Sequence, residues 1–300
     1  MKQEQFDPET YPTEKNFLQA GTELDEYMIE KPLAGGGFSS VYLARQRSDQ
    51  HQVVIKEYLP RRIAHRNCQN QVVANSEKTR PMFVRGKTLF IEEAKALSKL
   101  KHPNIVEVIN FFSANSTVYL VMTFDYGKSL AKYIKLEKGR LKEDYLATVF
   151  PALLKGVSVI HAANLLHLDI KPDNILIRPE RNPLLLDFGA VHPFPTVERW
   201  KPGKVLTNGY SPPEQYSRNG NVGPWSDIYA TGATMRACIE GRPPPPAPDR
   251  EEKDTLKPAA VALRKKYSPA LLETIDAALE LNPANRLQST REMMDRLENL

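Results

Sequence analysis

The stretch His167–Asn174, with the sequence HLDIKPDN, decides the interpretation of this chain. It places an acid, a cation and an amide, Asp169, Lys171 and Asn174, within six residues. Short apolar segments flank it on both sides. A rigid polar loop between two short buried strands is therefore the expected structure.

A second carboxylate, Asp187, follows thirteen residues after Asn174. It comes directly after the apolar pair Leu185–Leu186 and before Phe188–Gly189, where the glycine permits unusual backbone angles. Two such loops lying side by side would bind a metal ion and a phosphate group together.

Together, these two motifs resemble the catalytic loop and the metal-binding loop of serine/threonine protein kinases. The resemblance implies an α+β fold with two lobes, a small antiparallel β lobe with one helix and a larger, mainly helical lobe. It implies that Asp169 accepts the proton of the substrate hydroxyl and that Lys171 neutralises the transferring phosphoryl group. Asn174 and Asp187 would hold the Mg²⁺ ions, or Mn²⁺ in their place, that bridge the phosphates of ATP. An Asp-Phe-Gly tripeptide alone is a common turn, but the two motifs at this spacing favour a kinase.

A hairpin with a glycine-rich tip is predicted between the strand-like segments that begin at Tyr27 and Val41. In the family this loop folds over the nucleotide phosphates through its backbone amides. Gly35 and Gly37 match the first two family glycines, whereas Ser40 stands at the third and would add a hydroxyl donor. Taken alone, the motif favours a plain hairpin turn. The nucleotide-binding residues expected here are Gly35, Gly36, Gly37, Phe38, Ser39, Ser40 and Val41.

Lys56 ends the apolar segment that begins at Gln52, and the resemblance places it on the α- and β-phosphates. A lysine at a strand end is usually solvated, so this role needs a partner. The predicted helix Lys87–Leu100 supplies Glu93, because a carboxylate on an apolar stripe costs free energy unless it is paired. Glu92 is the expected solvent-facing neighbour. The stripe consists of Leu89, Phe90, Leu97 and Leu100.

Residues 117–127 resemble the connection between the kinase lobes, whose backbone hydrogen-bonds the adenine. Met122 would be the gatekeeper, and Ser129 stands where many relatives place an acid that reaches the ribose. The connection residues expected at the nucleotide are Thr123, Phe124 and Asp125, and the apolar walls for the base are Val41, Val54 and Leu176.

The second half of the chain carries further family positions. A long helix is predicted over Glu143–Ala163, kinked or divided at Pro151. Thr207 matches the threonine that bonds the catalytic Asp and Lys in serine/threonine kinases. Residues 209–216, with the sequence GYSPPEQY, resemble the bacterial members of the family. Structural roles are implied for an ion pair of Glu214 with Arg286 and for Asp227, which would accept backbone donors from the catalytic loop.

Leu168 departs from the family pattern in a way that bears on regulation. Kinases that are switched by activation-loop phosphate usually place an arginine directly before the catalytic Asp to receive it. Without that arginine the phosphate loses a main bidentate partner. We therefore expect activity that does not depend on activation-loop phosphorylation.

The expected domain organisation is an N-terminal tail over 1–24, the small lobe over 25–124 and the large lobe over 125–300. Within the small lobe, 57–86 is a longer connection than kinases usually carry, and it is rich in Lys and Arg. It would be either a solvated, partly mobile insert or a docking site for an acidic partner.

Composition sets further limits on the function. The net charge of +5 over 300 residues is modest, so no nucleic-acid partner is expected. Cys68 and Cys238 lie far apart in the sequence and are interpreted as plain thiols. No apolar run approaches the roughly 18 residues of a membrane helix, which predicts no membrane segment and a cytoplasmic location. The chain would equally suit the cytoplasmic catalytic region of a longer, membrane-tethered protein.

The sequence therefore predicts an ATP-dependent kinase that acts on serine or threonine hydroxyls of protein substrates. One alternative is a pseudokinase that binds nucleotide without turnover, against which Lys56, Glu93, Asp169, Asn174 and Asp187 argue together. Another is a phosphotransferase for small molecules or nucleic acid, which Thr207 and the segment ending at Glu214 disfavour. The substrate, the activating signal and the oligomeric state are not encoded in a readable pattern.

Overall fold

The computed structural model describes residues 17–187, 192–195, 206–217 and 219–298. They group into two compact units. Among the described residues, the first contains Phe17–Lys99 together with Glu107–Phe124, and the second contains Leu100–Val106 and those from Asp125 onward. Residues Leu100–Val106, expected in the small lobe, join the second unit because Asn104 and Val106 exchange backbone hydrogen bonds with Leu185.

The first unit is built on a six-stranded antiparallel sheet with the order β1-β2-β3-β4-β8-β7. One helix, α1, covers Arg80–Leu97, and a small two-stranded hairpin, β5-β6, lies in the connection before it. The strands are β1 (Glu23–Leu24), β2 (Tyr27–Gly35), β3 (Ser39–Gln46), β4 (Gln52–Tyr58), β5 (Ala64–Arg66), β6 (Val72–Ala74), β7 (Val108–Ala114) and β8 (Thr117–Thr123).

The register of the sheet divides its side chains between two faces. Val41 lies opposite Lys56, and Val54 lies opposite both Leu43 and Met122. Since alternate residues of a strand point to opposite faces, these side chains share one face. The other face carries an apolar core of Phe17, Leu18, Leu24, Tyr27, Ile29, Tyr42, Ala44, Val53, Ile55, Tyr119 and Val121.

Helix α1 differs from its predicted bounds, beginning at Arg80 rather than Lys87 and ending at Leu97 rather than Leu100. A proline in the first turn, where its missing N–H costs nothing, marks the earlier start. The buried positions are Phe83, Ala94 and Leu97, whereas Leu89 is exposed. The predicted stripe is therefore wrong at Leu89, because the buried face is set by Phe83, a turn upstream of the predicted start.

The connection before α1 is an ordered part of the first unit rather than a solvated, mobile insert. Its first two residues belong to β4, and its last seven belong to α1. Between them, Leu59, Ala64 and Val72 are buried in a cluster with Tyr58, Phe83 and Val118. Three apolar side chains at irregular spacing are hard to recognise among many charges, which is why the sequence suggested a solvated segment.

The second unit is mainly helical, with short strands on which the catalytic loop is mounted. Its strands are β9 (Lys128–Ser129), β10 (Leu165–Leu166), β11 (Ile175–Arg178), β12 (Asn182–Leu185) and β13 (His192–Pro193), which form the sheets β12-β11-β9 and β10-β13. Its helices are α2 (Leu130–Leu136), α3 (Glu143–Ala162), α4 (Pro213–Tyr216), α5 (Pro224–Glu240), α6 (Ala247–Glu252), α7 (Ala259–Ala262), α8 (Pro269–Ala278) and α9 (Thr290–Leu297).

Helix α3 is continuous through Pro151, so the predicted division at that residue is wrong. By length and composition alone it would suit a membrane span. Half of its apolar window is buried inside the protein, however, and Leu146, Val149, Phe150 and Leu153 are fully buried. A helix at the centre of a helical core has the same composition.

Candidate active site

The catalytic loop between β10 and β11 is anchored by a carboxylate from α5. Asp227 is fully buried and accepts the amides of His167 at 2.9 Å and Leu168 at 2.7 Å. His161 Nε2 lies 2.8 Å from the same carboxylate. Burial alone would raise the pKa of Asp227, but the bond from His161 and the backbone donors lower it overall. The ionised carboxylate thus holds the loop from one side.

Leu168 adopts a left-handed backbone with φ of +61°, which is unfavourable for a branched side chain. Its amide is bound by Asp227, and its carbonyl accepts a bond from Gln215 Nε2 at 3.0 Å. The side chain is buried with Leu166, Val222 and Phe194. These contacts fix the turn that directs the next residue, Asp169.

Asp169 lies at the centre of a group of four polar side chains, three from the catalytic loop and one, Thr207, from a later part of the second unit. Lys171 Nζ is 2.9 Å and 2.8 Å from its two carboxylate oxygens. Thr207 Oγ1 donates to Oδ1 at 2.8 Å and accepts from Lys171 Nζ at 3.2 Å. Asn174 Nδ2 donates to Oδ2 at 2.9 Å. The structure therefore brings together Asp169, Lys171, Asn174 and Thr207, which the resemblance assigns to catalysis, with Asn174 also assigned to metal binding.

His167 connects the catalytic loop to the second carboxylate loop. Asp169 N donates to Nδ1 at 3.3 Å, and Nε2 lies 3.3 Å from the carbonyl oxygen of Leu186, directly before Asp187. Burial lowers the pKa of His167, although the nearby carboxylates oppose this effect. A neutral imidazole with one accepting and one donating nitrogen satisfies both bonds. Asp187, with φ of +46°, is thereby held in the same region as Asp169.

The orientation of Asn174 fits a metal ligand. Its amide nitrogen is occupied by the carbonyl and the carboxylate of Asp169, both at 2.9 Å. The amide oxygen therefore points elsewhere, and together with the Asp187 carboxylate it offers the oxygen donors that Mg²⁺ prefers. The described residues contain no cluster of three His, Cys, Asp or Glu side chains that could hold a metal ion. A site made by one Asn, one Asp and nucleotide phosphates would not form such a cluster.

In the first unit, the residues expected at the nucleotide share one face of the sheet. Val41, Val54, Lys56 and Met122 are on the face opposite the apolar core. Lys56 is only 6% exposed, so it is not the solvated strand-end lysine of the alternative interpretation. Glu93 is half-buried on α1 and Glu92 is exposed, as the helical spacing predicts.

Ser40 does not have the orientation expected of it. It is fully buried and pairs with Glu57, so its side chain points to the core face, opposite to that of Val41 and Lys56. Its hydroxyl accepts a bond from Arg61 at 3.2 Å. The expectation of an added hydroxyl donor toward the phosphates is therefore wrong, because one step along a strand reverses the face.

Comparison with known proteins gives the family. The family model for the protein kinase domain matches residues 27–296. The chain belongs to the protein kinase family. The fold agrees, since the solved structure of PpkA-294 in its apo form superposes with a TM-score of 0.83 and 34% identity, covering 94% of this chain and 100% of that one. The predicted two-lobed kinase fold is thus confirmed.

Bacterial relatives are among the similar proteins. Serine/threonine-protein kinase D of Synechocystis is 29% identical over 92% of this chain, and serine/threonine-protein kinase PknA of Nostoc is 28% identical over 91%. The predicted resemblance to bacterial-type serine/threonine kinases is confirmed. The chain spans about half the length of these relatives, 52% and 47% respectively. ATP and Mg²⁺ are what the protein kinase family generally uses.

Three further predicted features of the kinase domain are placed as follows. Arg286 donates to Glu214 at 2.7 Å and 3.3 Å, and both residues are buried. Ser129 caps α2 by accepting the amide of Lys132 at 3.3 Å, so this hydroxyl stabilises a helix start rather than replacing the ribose-binding acid. Leu176, the predicted wall of the base in the second unit, lies in β11 and pairs with Ser129.

Some sequence-based predictions fall outside the described residues. These are the first part of the N-terminal tail and Phe188 and Gly189 of the metal-binding loop. Thr196, in the expected activation segment between Asp187 and Glu214, also lies outside the described residues. Asp187 itself and the segment 192–195 are described.

One buried polar network was missed by the sequence analysis. Glu57 is fully buried, and its carboxylate accepts bonds from Arg66, from Tyr42 at 2.9 Å and from Tyr119 at 2.7 Å. Burial and the Glu57 charge raise the pKa of both tyrosines. The signal was present, since Glu57 follows Lys56 in a strand and must occupy the opposite face. Its partner Arg66 is in β5 and was not predictable.

Proposed function

We propose that this kinase domain transfers the γ-phosphoryl group of ATP to serine or threonine hydroxyls of proteins, itself included among the candidate substrates. The observation that carries the proposal is the group formed by Asp169, Lys171 and Thr207. It places a carboxylate, a cation and a positioning hydroxyl within 3.2 Å of each other. Each is fixed before substrate arrives, which lowers the cost of organising the transition state.

The residues would divide the chemistry as follows. Asp169 accepts the proton of the acceptor hydroxyl while the hydroxyl oxygen forms a bond to the γ-phosphorus. The bond between that phosphorus and the bridging oxygen breaks, and ADP carries away the electron pair. Lys171 offsets the negative charge on the transferring group, and Thr207 holds both side chains in place. A positioned base of this kind contributes about 10²–10⁴ to the rate.

Asn174 and Asp187 would hold Mg²⁺ through one amide oxygen and one carboxylate. The bound metal supplies neutralisation of the charge that develops on the phosphate oxygens. The chain itself orients these two ligands through Asp169 and through the bond between His167 and Leu186.

The preference for serine and threonine acceptors is supported by Thr207 and by the names of the similar bacterial kinases. Thr207 lies within hydrogen-bond distance of both Asp169 and Lys171, which is the arrangement implied by the resemblance. We propose that the full protein acts in the cytoplasm and phosphorylates cytoplasmic proteins.

The direct experiment supplies γ-labelled ATP, Mg²⁺ and a peptide library that contains Ser, Thr and Tyr acceptors. We expect labelled phosphoserine and phosphothreonine from the wild type, and none above background from Asp169→Asn or after chelation of Mg²⁺. Label confined to tyrosine would contradict the acceptor class. Nucleotide binding with no transfer in any acceptor would favour the pseudokinase alternative.

We further propose that turnover does not require phosphate on the activation segment. In place of an arginine, Leu168 is buried in an apolar cluster with Val222 and Phe194. Residues 192–195, which belong to the activation segment, are also held against the catalytic loop. Strand β13 pairs with β10, and Phe194 N donates to Asn164 O at 2.8 Å. Apolar packing and backbone hydrogen bonds would thus fix the segment in the position that an arginine–phosphate pair fixes in switched kinases.

This regulatory proposal is tested with phosphatase-treated protein and with Thr196→Ala. We expect both to keep the wild-type turnover within about twofold, since a phosphate without its arginine partner contributes little. Loss of turnover in the treated protein, with recovery after rephosphorylation, would contradict the proposal.

A further inference from the structure

The glycine-rich loop is fastened to the start of the connection that follows β4. Three successive loop carbonyls accept bonds from residues 59–61. Phe38 O accepts Leu59 N at 3.0 Å, Gly37 O accepts Arg61 N at 2.9 Å, and Gly36 O accepts Arg61 Nε at 3.1 Å. The loop is therefore held along its length from one side.

This arrangement sets the direction of the loop amides. In a trans peptide unit the carbonyl and the following N–H point in opposite directions. With the carbonyls of residues 36–38 turned toward residues 59–61, the amides of Gly37, Phe38 and Ser39 are turned away from that segment. Within the described residues the amides of Gly37 and Phe38 donate no hydrogen bond. A row of such amides is an anion-binding feature.

The side chain of Arg61 completes the attachment on the core face of the hairpin. Its Nη2 donates to Ser40 Oγ at 3.2 Å, and its guanidinium lies 5.4 Å from the ring centroid of Phe17. The Phe17 ring and the Arg61 guanidinium both lie next to Gly35. A methyl group at Gly35 would lie 2.6 Å from Phe17 Cζ and 3.1 Å from Arg61 Nη2. A side chain at Gly35 would thus displace Phe17 and Arg61, whereas one at Gly37 would meet no described neighbour.

We infer that Arg61 is a positioning residue that orients the loop amides for the phosphates of the nucleotide. The inference rests on the proposed binding of ATP and assigns a function to the basic connection. It also explains Ser40, whose hydroxyl serves as an acceptor for Arg61 instead of a ligand for phosphate. Since Arg61 is only half-buried, its loss leaves the sheet and its core intact.

The test compares the affinities of Arg61→Ala for MgATP and for adenosine, measured by calorimetry. Because adenosine has no phosphates, we expect its Kd to stay within about twofold of wild type. We expect the Kd of MgATP to rise about 5- to 20-fold, in line with the loss of bonds from a charged donor. Equal weakening of both ligands, or no change for MgATP, would overturn the inference.

Two variants serve as controls. Arg62→Ala removes an exposed neighbouring arginine and should leave both affinities unchanged. Ser40→Ala removes only the acceptor hydroxyl and should raise the Kd of MgATP about two- to threefold. Combined with Arg61→Ala, it should add nothing, because the two side chains act through one bond. Fully additive effects would contradict the shared role.

Hydrogen exchange of the loop amides separates this inference from the proposed function. Without any nucleotide, the amide of Gly36, which donates to Ser39 O, and the amides of Leu59 and Arg61, which donate to the loop carbonyls, should exchange about tenfold faster in Arg61→Ala than in wild type or Arg62→Ala. If wild type failed to bind ATP but the variant still showed faster exchange, the proposed function would fail and the tether would stand. Unchanged exchange would refute the tether itself.

Discussion

The two loops that carry the predicted chemistry are held in different ways. The catalytic loop is fixed by side chains remote in sequence, among them Asp227, Thr207 and Gln215, and these contacts are largely buried. The glycine-rich loop is fixed by residues 59–61, a short distance along the chain, partly through the half-buried Arg61. A buried support makes geometry rigid, whereas a support near solvent can be changed at small cost to the fold.

The largest expected effect concerns the buried ion pair of Arg66 and Glu57, on the core face of the sheet that carries the glycine-rich hairpin. Arg66→Met leaves the buried Glu57 carboxylate without its cation, and we expect a loss of about 3–5 kcal/mol in local stability. Faster hydrogen exchange of the β3 and β4 amides would measure it. Adding Glu57→Gln should recover part of the loss, because the charge is then removed. No recovery in the double variant would show that Arg66 acts through packing alone.

The anchor beneath the catalytic loop should give the next largest effect. Asp227→Asn keeps the shape but replaces a charged acceptor of two buried amides, so we expect a loss of about 2–3 kcal/mol. Urea unfolding followed by tryptophan fluorescence reports it, since Trp225 lies on the same helix as Asp227. The exposed Asp249→Ala is the matched control and should change stability by less than about 0.5 kcal/mol. Equal effects in both variants would contradict the anchoring role.

The next prediction concerns kcat and the hydroxyl of Thr207, which supports the catalytic loop. Thr207→Ala removes a hydroxyl that bonds both Asp169 and Lys171, and we expect kcat to fall about tenfold, the equivalent of roughly 1.4 kcal/mol. Thr207→Ser keeps the hydroxyl and should retain most of the wild-type kcat. If the serine variant were as slow as the alanine variant, the methyl group rather than the hydroxyl would carry the effect.

The smallest expected effect is a pH dependence of stability caused by His167. Its neighbours Asp227, Asp169 and Asp187 favour the charged form, but burial prevails and lowers its pKa. Below the unfolded value of about 6.5, the unfolded chain therefore binds a proton that the folded chain resists, and stability falls as pH falls. For a single ionisable group, the loss of stability over the first pH unit below 6.5 is at most about 1 kcal/mol. His167→Gln should remove this slope, and an unchanged slope in urea titrations at pH 7.0 and 5.5 would contradict it.

The sequence predicted the kinase fold and named the polar group around Asp169, because short motifs carry those residues at fixed spacing. Strand alternation alone predicts that Ser40 and Glu57 lie on the core face. The family pattern predicted instead that Ser40 faces the phosphates. Arg61 and Arg66 could not be assigned, since their partners depend on how residues 59–79 fold back onto the sheet. The start of α1 was misjudged because Phe83, its first buried residue, lies outside the predicted stripe.

The most direct test of the account compares the single-turnover rate of phosphate transfer in wild type and Asp169→Asn at saturating MgATP, with the Kd of MgATP measured for both. We expect a rate lowered by about 10²–10⁴ with a Kd within about threefold, because Asp169 acts on the acceptor hydroxyl. A variant that transfers phosphate at the wild-type rate, or one that loses rate only through lost nucleotide binding, would contradict it.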